Sequence, residues 1–182
     1  MKLIDMMELA PGVISIIGSG GKTSLMYRLA EESAGKTVIC TSTHIMPPET
    51  YPVSDPTAEE LACQLEHFPA VCIGRPAKEG KLTSPSLSWL EISELADFVI
   101  IEADGSRHLP LKAHAAHEPV IPDCTGIVIQ VVGCSGFGKP ISEVCHRPER
   151  FAELAGCSIN ETAEPQLAAK VIEAGATLIL YS

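Results

Sequence analysis

The residues from Val13 to Ser24 restrict the fold of this chain more than any other stretch. Their sequence is Val-Ile-Ser-Ile-Ile-Gly-Ser-Gly-Gly-Lys-Thr-Ser. The first five are mostly β-branched and apolar, which is typical of a buried strand. Three glycines then occur within four residues, and the residues after Lys22 have helical spacing. A strand, a glycine-rich loop and a helix in this order form the local structure that binds phosphate groups in many proteins.

The glycine-rich loop predicts how a nucleotide would be held. Glycine allows consecutive backbone N–H groups to face an anion, and the helix N-terminus adds partial positive charge. We expect Lys22 to reach the terminal phosphates of ATP or GTP and the Thr23 hydroxyl to bind Mg²⁺. The predicted nucleotide-binding residues of this loop are Gly18, Ser19, Gly20, Gly21, Lys22, Thr23 and Ser24.

The spacing of the loop differs from the common Walker pattern G-x-x-x-x-G-K-[ST], because Ile16 occupies the position of its first glycine. The shorter pattern G-x-x-G-K-T-[ST] resembles the loop of ATP-dependent Mur-type ligases more than that of small GTPases. A glycine-rich turn before an ordinary helix is the alternative interpretation. The Lys-Thr pair at a helix start, directly after a β run, favours the phosphate-binding loop.

A second strong signal is the apolar run Phe98–Ile101, which leads into Glu102 and Asp104. Side chains two apart in a strand share a face, so both carboxylates should project together from the carboxyl end of the strand. In such a site one carboxylate binds Mg²⁺ through water and the other orients a water or substrate. We therefore predict Lys22, Glu102 and Asp104 as catalytic residues. Thr23, Glu102 and Asp104 are the predicted metal ligands.

Hydroxyl groups and one imidazole follow a further predicted strand at residues 37–41. Thr41, Thr43 and His44 lie at its carboxyl end, which is the edge where open α/β sheets bind ligands. One hypothesis makes these three residues a switch-like, nucleotide-binding segment near phosphate or magnesium. The other makes them a polar turn before a proline-rich loop, and the sequence leaves both open.

The stretch 106–122 directly follows the predicted metal-binding strand and is dense in polar side chains. Pro110 and Pro119 exclude a regular helix throughout. Long irregular segments beside a site are more often functional than not. We expect Arg107 to offset charge that develops during catalysis and Lys112 to neutralise phosphate charge.

The same stretch contains His114, His117 and Glu118. These residue types suggest a zinc site, but no separate cluster supplies the third and fourth ligands that zinc requires. We instead predict that His117 and Glu118 orient the loop or contact the bound ligand.

Composition and spacing predict a single-domain α/β protein, a three-layer P-loop-type fold whose mostly parallel sheet has helices on both faces. The chain has 182 residues, 46% of them hydrophobic and only 4% aromatic, which suits the aliphatic core of a parallel sheet. The spacing also predicts a hairpin turning at Glu79–Lys81, a helix from Pro165 to about Glu173, and a final strand over residues 177–181.

Charge and targeting signals narrow the range of partners. The net charge of −10 argues against general binding of nucleic acid or of anionic membranes. No apolar run approaches the roughly 20 residues that cross a bilayer, and the N-terminus does not resemble a signal peptide. The seven cysteines form no Cys-x-x-Cys pair, so we expect a cytoplasmic, disulfide-free protein.

Six motifs along the chain, taken in order, resemble the YqeC family. The motifs are Gly18-Ser-Gly-Gly-Lys-Thr23, Thr41-Ser-Thr-His-Ile45, Glu102-Ala-Asp-Gly-Ser-Arg107, Leu109-Pro-Leu-Lys-Ala113, His117-Glu-Pro-Val-Ile-Pro122 and His146-Arg-Pro-Glu-Arg150. The resemblance implies an accessory protein for selenium-dependent molybdenum hydroxylases, or a role in selenium cofactor biosynthesis. It also implies an apo-hydroxylase or a molybdenum or selenium cofactor intermediate as partner.

Two departures from the family accompany this resemblance. Family members run longer, whereas this chain stops at Tyr181-Ser182 without an Asn-Lys-x-Asp sequence to select guanine. The chain is therefore expected to be either naturally short or truncated at its C-terminus. His114 also occupies a position where we expect proline in the family.

Three functional hypotheses follow. The leading one is a Mg²⁺-dependent P-loop NTPase, or an enzyme of phosphoryl or nucleotidyl transfer, that uses ATP or GTP. The second is a nucleotide-gated chaperone or cofactor-insertion factor with slow or no turnover. The third is a degenerate loop that is retained only as a scaffold.

Overall fold

The computed structural model describes residues 1–180 of the chain. Its helices are α1 (Leu3–Met6), α2 (Lys22–Glu32), α3 (Ala58–His67), α4 (Trp89–Leu95), α5 (Ile141–Val144), α6 (Pro148–Ala155) and α7 (Pro165–Leu180). Its strands are β1 (Gly12–Gly18), β2 (Thr37–Thr41), β3 (His44–Ile45), β4 (Val53–Ser54), β5 (Ala70–Ile73), β6 (Arg75–Pro76), β7 (Leu82–Thr83), β8 (Phe98–Glu102), β9 (Leu111–Lys112), β10 (Ile127–Val131) and β11 (Cys145–His146).

The largest sheet has six strands in the order β10-β1-β8-β2-β5-β4. The pairs β1–β8, β8–β2, β2–β5 and β5–β4 are all parallel. Strands β2, β5 and β8 are buried along their whole length, as expected for parallel strands that are covered on both faces. The predicted α/β class with a mostly parallel sheet is therefore confirmed.

Helices cover both faces of this sheet. Val99 and Ile101 of β8 lie in one buried cluster with Leu61 and Leu65 of α3 and Ile92 of α4. Because side chains alternate along a strand, the remaining residues of β8 face the other side. Helix α2 contacts β8 as well as β2, and it packs against this second face.

The chain divides into two compact units. The first comprises Met1–Ile17, Lys22–Asp104 and Val120–Ile129, and the second comprises Gly18–Gly21, Gly105–Pro119 and Gln130–Ser182. Each has its own apolar core. The core of the second unit is formed by β9, β11 and helices α5–α7, with Leu111, Ile141 and Phe151 among its fully buried side chains.

Small sheets complete each unit. In the first unit, β3, β7 and β6 form a three-stranded antiparallel sheet, and a turn at Lys78–Gly80 links β6 to β7, which confirms the predicted hairpin. In the second unit, β9 and β11 pair in parallel, with His146 opposite Lys112. The sequence did not predict these two strands, which contain only two residues each.

The predicted final strand is wrong for residues 177–180, because α7 continues to Leu180; Tyr181 lies outside the described residues. A short apolar run has the same composition in a buried strand and in a helix, so periodicity alone does not distinguish them. No proline interrupts the helix after Pro165.

Among the helices of residues 1–180, none combines the length and the apolar character that crossing a membrane would require.

A capping box fixes the start of α3, and its removal has a predictable cost. The Thr57 hydroxyl accepts a hydrogen bond from the Glu60 N–H at 3.3 Å, and the Glu60 carboxylate accepts one from the Thr57 N–H at 2.8 Å. We expect Thr57→Ala to lower the free energy of unfolding by about 1 kcal/mol in urea titrations. Thr57→Ser keeps the acceptor and serves as the control, so equal stabilities of the two variants would contradict the prediction.

Candidate functional site

Lys22 lies in the first turn of α2 and is almost completely buried, with 4% of its surface exposed. Its ammonium nitrogen is 2.9 Å from Asp104 Oδ1 and 3.6 Å from Glu102 Oε1. Asp104 is fully buried, and Glu102 is 9% exposed. Removing three charges from water is costly unless opposite charges offset one another. The burial of Lys22 and of the two carboxylates therefore depends on their mutual attraction within the first compact unit.

The parallel register of the sheet explains why the two carboxylates reach Lys22. Glu102 is the last residue of β8 and pairs with Ile16 of β1 on one side and with Thr41 of β2 on the other. The Ala103 N–H donates to the Ile16 carbonyl at 3.0 Å and extends the ladder by one residue. Asp104 follows at once, and so both acidic residues lie at the carboxyl end of the strand.

Thr41 and Thr43 are hydrogen-bonded to the same edge of the sheet. The Thr41 hydroxyl donates to the Glu102 carbonyl at 2.8 Å and accepts from the Thr43 N–H at 2.9 Å. The Thr83 hydroxyl in turn donates to the Thr43 carbonyl at 3.0 Å. The His44 side chain is exposed on β3. The structure thus joins Thr41 and Thr43 to the backbone that carries Glu102.

The glycine loop requires its glycines for conformational reasons. Gly18, Gly20 and Gly21 have φ angles of 94°, 75° and 121°, which side chains rarely tolerate. A Cβ atom on Gly20 would also lie 2.5 Å from the Cα atom of Gly133. The backbone of this loop is therefore closely packed inside the second unit.

Ser19 is held by two hydrogen bonds within that unit. Its hydroxyl donates to the Pro110 carbonyl at 2.9 Å, and its N–H donates to the Val131 carbonyl, also at 2.9 Å. The expectation that consecutive loop N–H groups face an anion is therefore wrong for Ser19. Its amide instead fixes the loop to the end of β10.

The residues predicted to bind Mg²⁺ have suitable chemistry. Thr23 and Ser24 follow Lys22 in α2, and both are exposed. No group of three or more His, Cys, Asp or Glu side chains that could hold a metal occurs among residues 1–180. Two carboxylates and a hydroxyl suit Mg²⁺, which keeps several water ligands and rarely takes an all-protein cage.

In the second unit, Glu118 bridges two cations. Its Oε2 atom is 2.9 Å from Lys112 Nζ and 2.7 Å from Arg147 Nη1. Lys112 also donates to the Gly105 carbonyl, and Arg147 Nη1 donates to the Ala113 carbonyl at 3.2 Å. The segment 105–119 is therefore held by these charged side chains as well as by the short strand β9.

The two cations determine the charge state of Glu118. Burial acts to raise its pKa, but the hydrogen bonds from Arg147 and Lys112 outweigh burial and lower the pKa to about 2. Glu118 is therefore ionised over the whole physiological range. These contacts fix the position of the Glu118 side chain, and its predicted role in orienting the loop or contacting a ligand stays a prediction.

The other predicted residues of the segment lie at its surface. Arg107 and His117 are exposed, and Arg107 has a left-handed backbone with φ 50°. The described contacts bring Lys112 and Glu118 together but do not include a contact of His117 with either.

Sequence reasoning missed Arg147 and His146 as members of this cluster. Both residues appear in the sequence analysis only as part of the motif His146-Arg-Pro-Glu-Arg150. The pairing of β9 with β11, which places them beside Lys112, has no local signal in two-residue strands. The appearance of His-Arg directly before a helix-starting proline was the one available clue.

The fold and the site first define a class of protein. It is an α/β protein with a mostly parallel sheet, in which a glycine-rich loop leads from β1 into a helix that begins at a buried lysine. A family model described as "YqeC protein" matches residues 14–149. The chain belongs to the YqeC family.

A curated relative from Escherichia coli (strain K12), described as "Uncharacterized protein YqeC", is 38% identical over 165 residues. The match covers 85% of this chain and 64% of the relative. The chain thus spans less than two thirds of the length of that relative. No solved structure matches the chain.

Proposed function

We propose that this protein binds a magnesium nucleotide, ATP or GTP, through the loop at residues 18–24 and uses it as an NTPase or as an enzyme of phosphoryl or nucleotidyl transfer. The observation that supports the proposal best is the buried ion pair of Lys22 with Asp104 and Glu102. A lysine at the start of a helix, behind a glycine loop and against two strand-end carboxylates, matches the requirements of phosphoryl transfer.

Each residue of the cluster has a distinct task in this proposal. Mg²⁺, when bound, neutralises charge on the phosphate oxygens. Thr23, Glu102 and Asp104 supply oxygen ligands for it, directly or through water. Lys22 exchanges its carboxylate partners for the terminal phosphates, and burial strengthens its attraction for them because the local dielectric constant is low.

Arg107 and Lys112 belong to the same proposal as sources of positive charge. Arg107 is exposed and has a left-handed backbone conformation. Lys112 is held in place by its ion pair with Glu118. In this proposal it contributes positive electrostatic potential without changing its position.

The biological role that we propose comes from the family resemblance. It is the maturation of selenium-dependent molybdenum hydroxylases, with an apo-hydroxylase or a cofactor intermediate as the partner. We propose the cytoplasm as its location.

One observation favours a second candidate function, a nucleotide-gated insertion factor. Lys22 lies 2.9 Å from Asp104, so a phosphate group would compete with this carboxylate for the N–H donors of the ammonium group. Such competition would slow turnover, which suits a timer better than a metabolic enzyme. Nucleotide binding with hydrolysis that a partner accelerates would support this candidate over the first.

Thermal unfolding tests nucleotide binding directly. We expect MgATP or MgGTP to raise the melting temperature of the wild-type protein, and EDTA to remove most of that increase. Thr23→Val should weaken Mg²⁺-dependent binding by about tenfold, or about 1.4 kcal/mol, because it deletes the hydroxyl ligand. Thr23→Ser keeps the hydroxyl and should behave like wild type.

Two results of these measurements would contradict the proposal. If neither nucleotide raises the melting temperature at millimolar concentration, the loop is only a scaffold. If Thr23→Val and Thr23→Ser bind MgATP and MgGTP alike, the hydroxyl does not bind the metal.

A further inference from the structure

Arg147 has hydrogen-bonding capacity that the protein does not use. Its side chain is 25% exposed, and its Nη1 atom donates to Glu118 Oε2 and to the Ala113 carbonyl. A guanidinium carries five N–H donors. The Nε and Nη2 donors of Arg147 make no hydrogen bond within the part of the chain whose side chains the structure describes, residues 1–175. A largely buried, permanently charged group with free donors is suited to a ligand that brings acceptor oxygens.

His146 lies beside this guanidinium and is also unsatisfied. It pairs with Lys112 across the β9–β11 ladder, and its backbone carbonyl accepts from the Ala113 N–H at 3.1 Å. Its half-buried ring makes no hydrogen bond with the part of the chain that the structure describes. The backbone thus fixes an imidazole next to two cations without giving its ring a partner.

The electrostatic field around the His146 ring is positive. Burial lowers its pKa first, and the charges of Arg147, Lys112 and Arg107 lower it further, while only the carboxylate of Glu118 opposes them. The ring is therefore neutral at pH 7 in the free protein. A neutral histidine in a positive field gains a proton more readily when an anion binds, because the anion offsets the neighbouring positive charges.

We propose that Arg147 and His146 form a binding site for an oxyanion, and specifically for the phosphate group of a second ligand. The unused edge of the Arg147 guanidinium would bind two phosphate oxygens, and the imidazole would bind a third. Phosphate is favoured over carboxylate because a dianion best offsets the charges of Arg147 and Arg107 and can share a proton with the ring.

This inference does not rest on the proposed nucleotide function. Arg107, Lys112, Glu118, His146 and Arg147 all belong to the second unit, and their geometry stands alone. If nucleotide binding succeeds, the site is a candidate for the second substrate of the reaction. If nucleotide binding fails, the phosphate site is still expected.

NMR of the histidine ring signals of the full chain tests the site, with inorganic phosphate as the probe. The His146 signal is assigned by its loss in His146→Gln. We expect saturable changes at His146 and a higher pKa of this residue in the presence of phosphate. Over the pH range in which inorganic phosphate stays a dianion, binding should strengthen as the pH falls, because the complex takes up a proton on the imidazole ring.

Arg147→Lys is the critical variant because it keeps the positive charge beside Glu118 but removes the second edge of donors. We expect it to weaken phosphate binding at least tenfold without loss of the folded structure. Arg150→Lys is the matched control. Its guanidinium is on α6 and pairs with Glu153 at 2.7 Å, and its substitution should leave phosphate binding unchanged.

Three results would overturn the proposed anion site, and a fourth would overturn its assignment to phosphate. The first is a His146 pKa that phosphate does not raise, and the second is wild-type binding by Arg147→Lys. The third is loss of the His146 response when MgADP saturates the protein, which would show that phosphate acts at the nucleotide loop. Acetate that binds as tightly as phosphate would overturn the phosphate assignment.

Discussion

Replacing Lys22 by methionine is expected to lower the free energy of unfolding by about 3–5 kcal/mol, the usual cost of removing one partner from a buried ion pair. The substitution leaves Glu102 and Asp104 close together at the end of β8 without the cation that lies 2.9 Å from Asp104. Methionine fills a similar volume, so the loss reflects charge rather than a cavity. Urea titration measures the effect.

The double variant Lys22→Met/Asp104→Asn separates charge from packing. It removes one negative charge along with the positive one, and we expect it to recover at least 1 kcal/mol relative to Lys22→Met, a coupling within the usual range for residues in contact. Lys36→Met, at an exposed position, controls for the loss of a surface lysine. A double variant less stable than Lys22→Met would contradict the electrostatic account of the cluster.

Replacing Glu118 by glutamine should have the second-largest effect on stability at neutral pH. The pKa of Glu118 falls from its ordinary value of 4.5 to about 2, and each pKa unit corresponds to about 1.36 kcal/mol. Allowing for solvent at a side chain that is 14% exposed, we expect a loss of about 2–3 kcal/mol at pH 7. The Lys112 ammonium then keeps only the single neutral amide oxygen of this side chain.

The contribution of Glu118 to the free energy of unfolding depends on pH. Because the pKa of Glu118 is lowered in the folded protein, its contribution is complete above pH 4.5 and disappears as the pH falls through about 2. The stability difference between wild type and Glu118→Gln should therefore shrink steadily over this window. Glu143→Gln, at an exposed position, is the control, and a difference that stays constant from pH 7 to pH 2 would refute the role of Glu118.

Much of the sheet could be predicted from the sequence because its longer strands are mostly apolar runs. The predicted bounds of β2, residues 37–41, agree with the structure, and Gly35 lies just before this strand. The neighbouring positions of Glu102 and Asp104 follow from the two-residue repeat of a strand. Their joint contact with Lys22 also depends on the order of the strands in the sheet. The sequence indicates that order only through the predicted type of fold.

The second unit was less predictable for a physical reason. Arg147 and Glu118 are 29 residues apart, and the strands that align them contain two residues each, too few to show a period. The amide of Ser19 likewise donates to Val131, a residue more than a hundred positions away. Such long-range pairings depend on the complete topology, so local sequence patterns do not encode them.

The division of the chain has a practical consequence for protein engineering. The second unit is assembled from three separate segments, and the shortest of them is Gly18–Gly21. No single cut yields this unit as a continuous peptide: a fragment that starts at Gln130 would contain Arg147 but lack Lys112 and Glu118, its ionic partner. Domain dissection by truncation should therefore give fragments that do not fold independently, whereas circular permutation at an exposed turn such as Lys78–Gly80 would keep every segment in one chain.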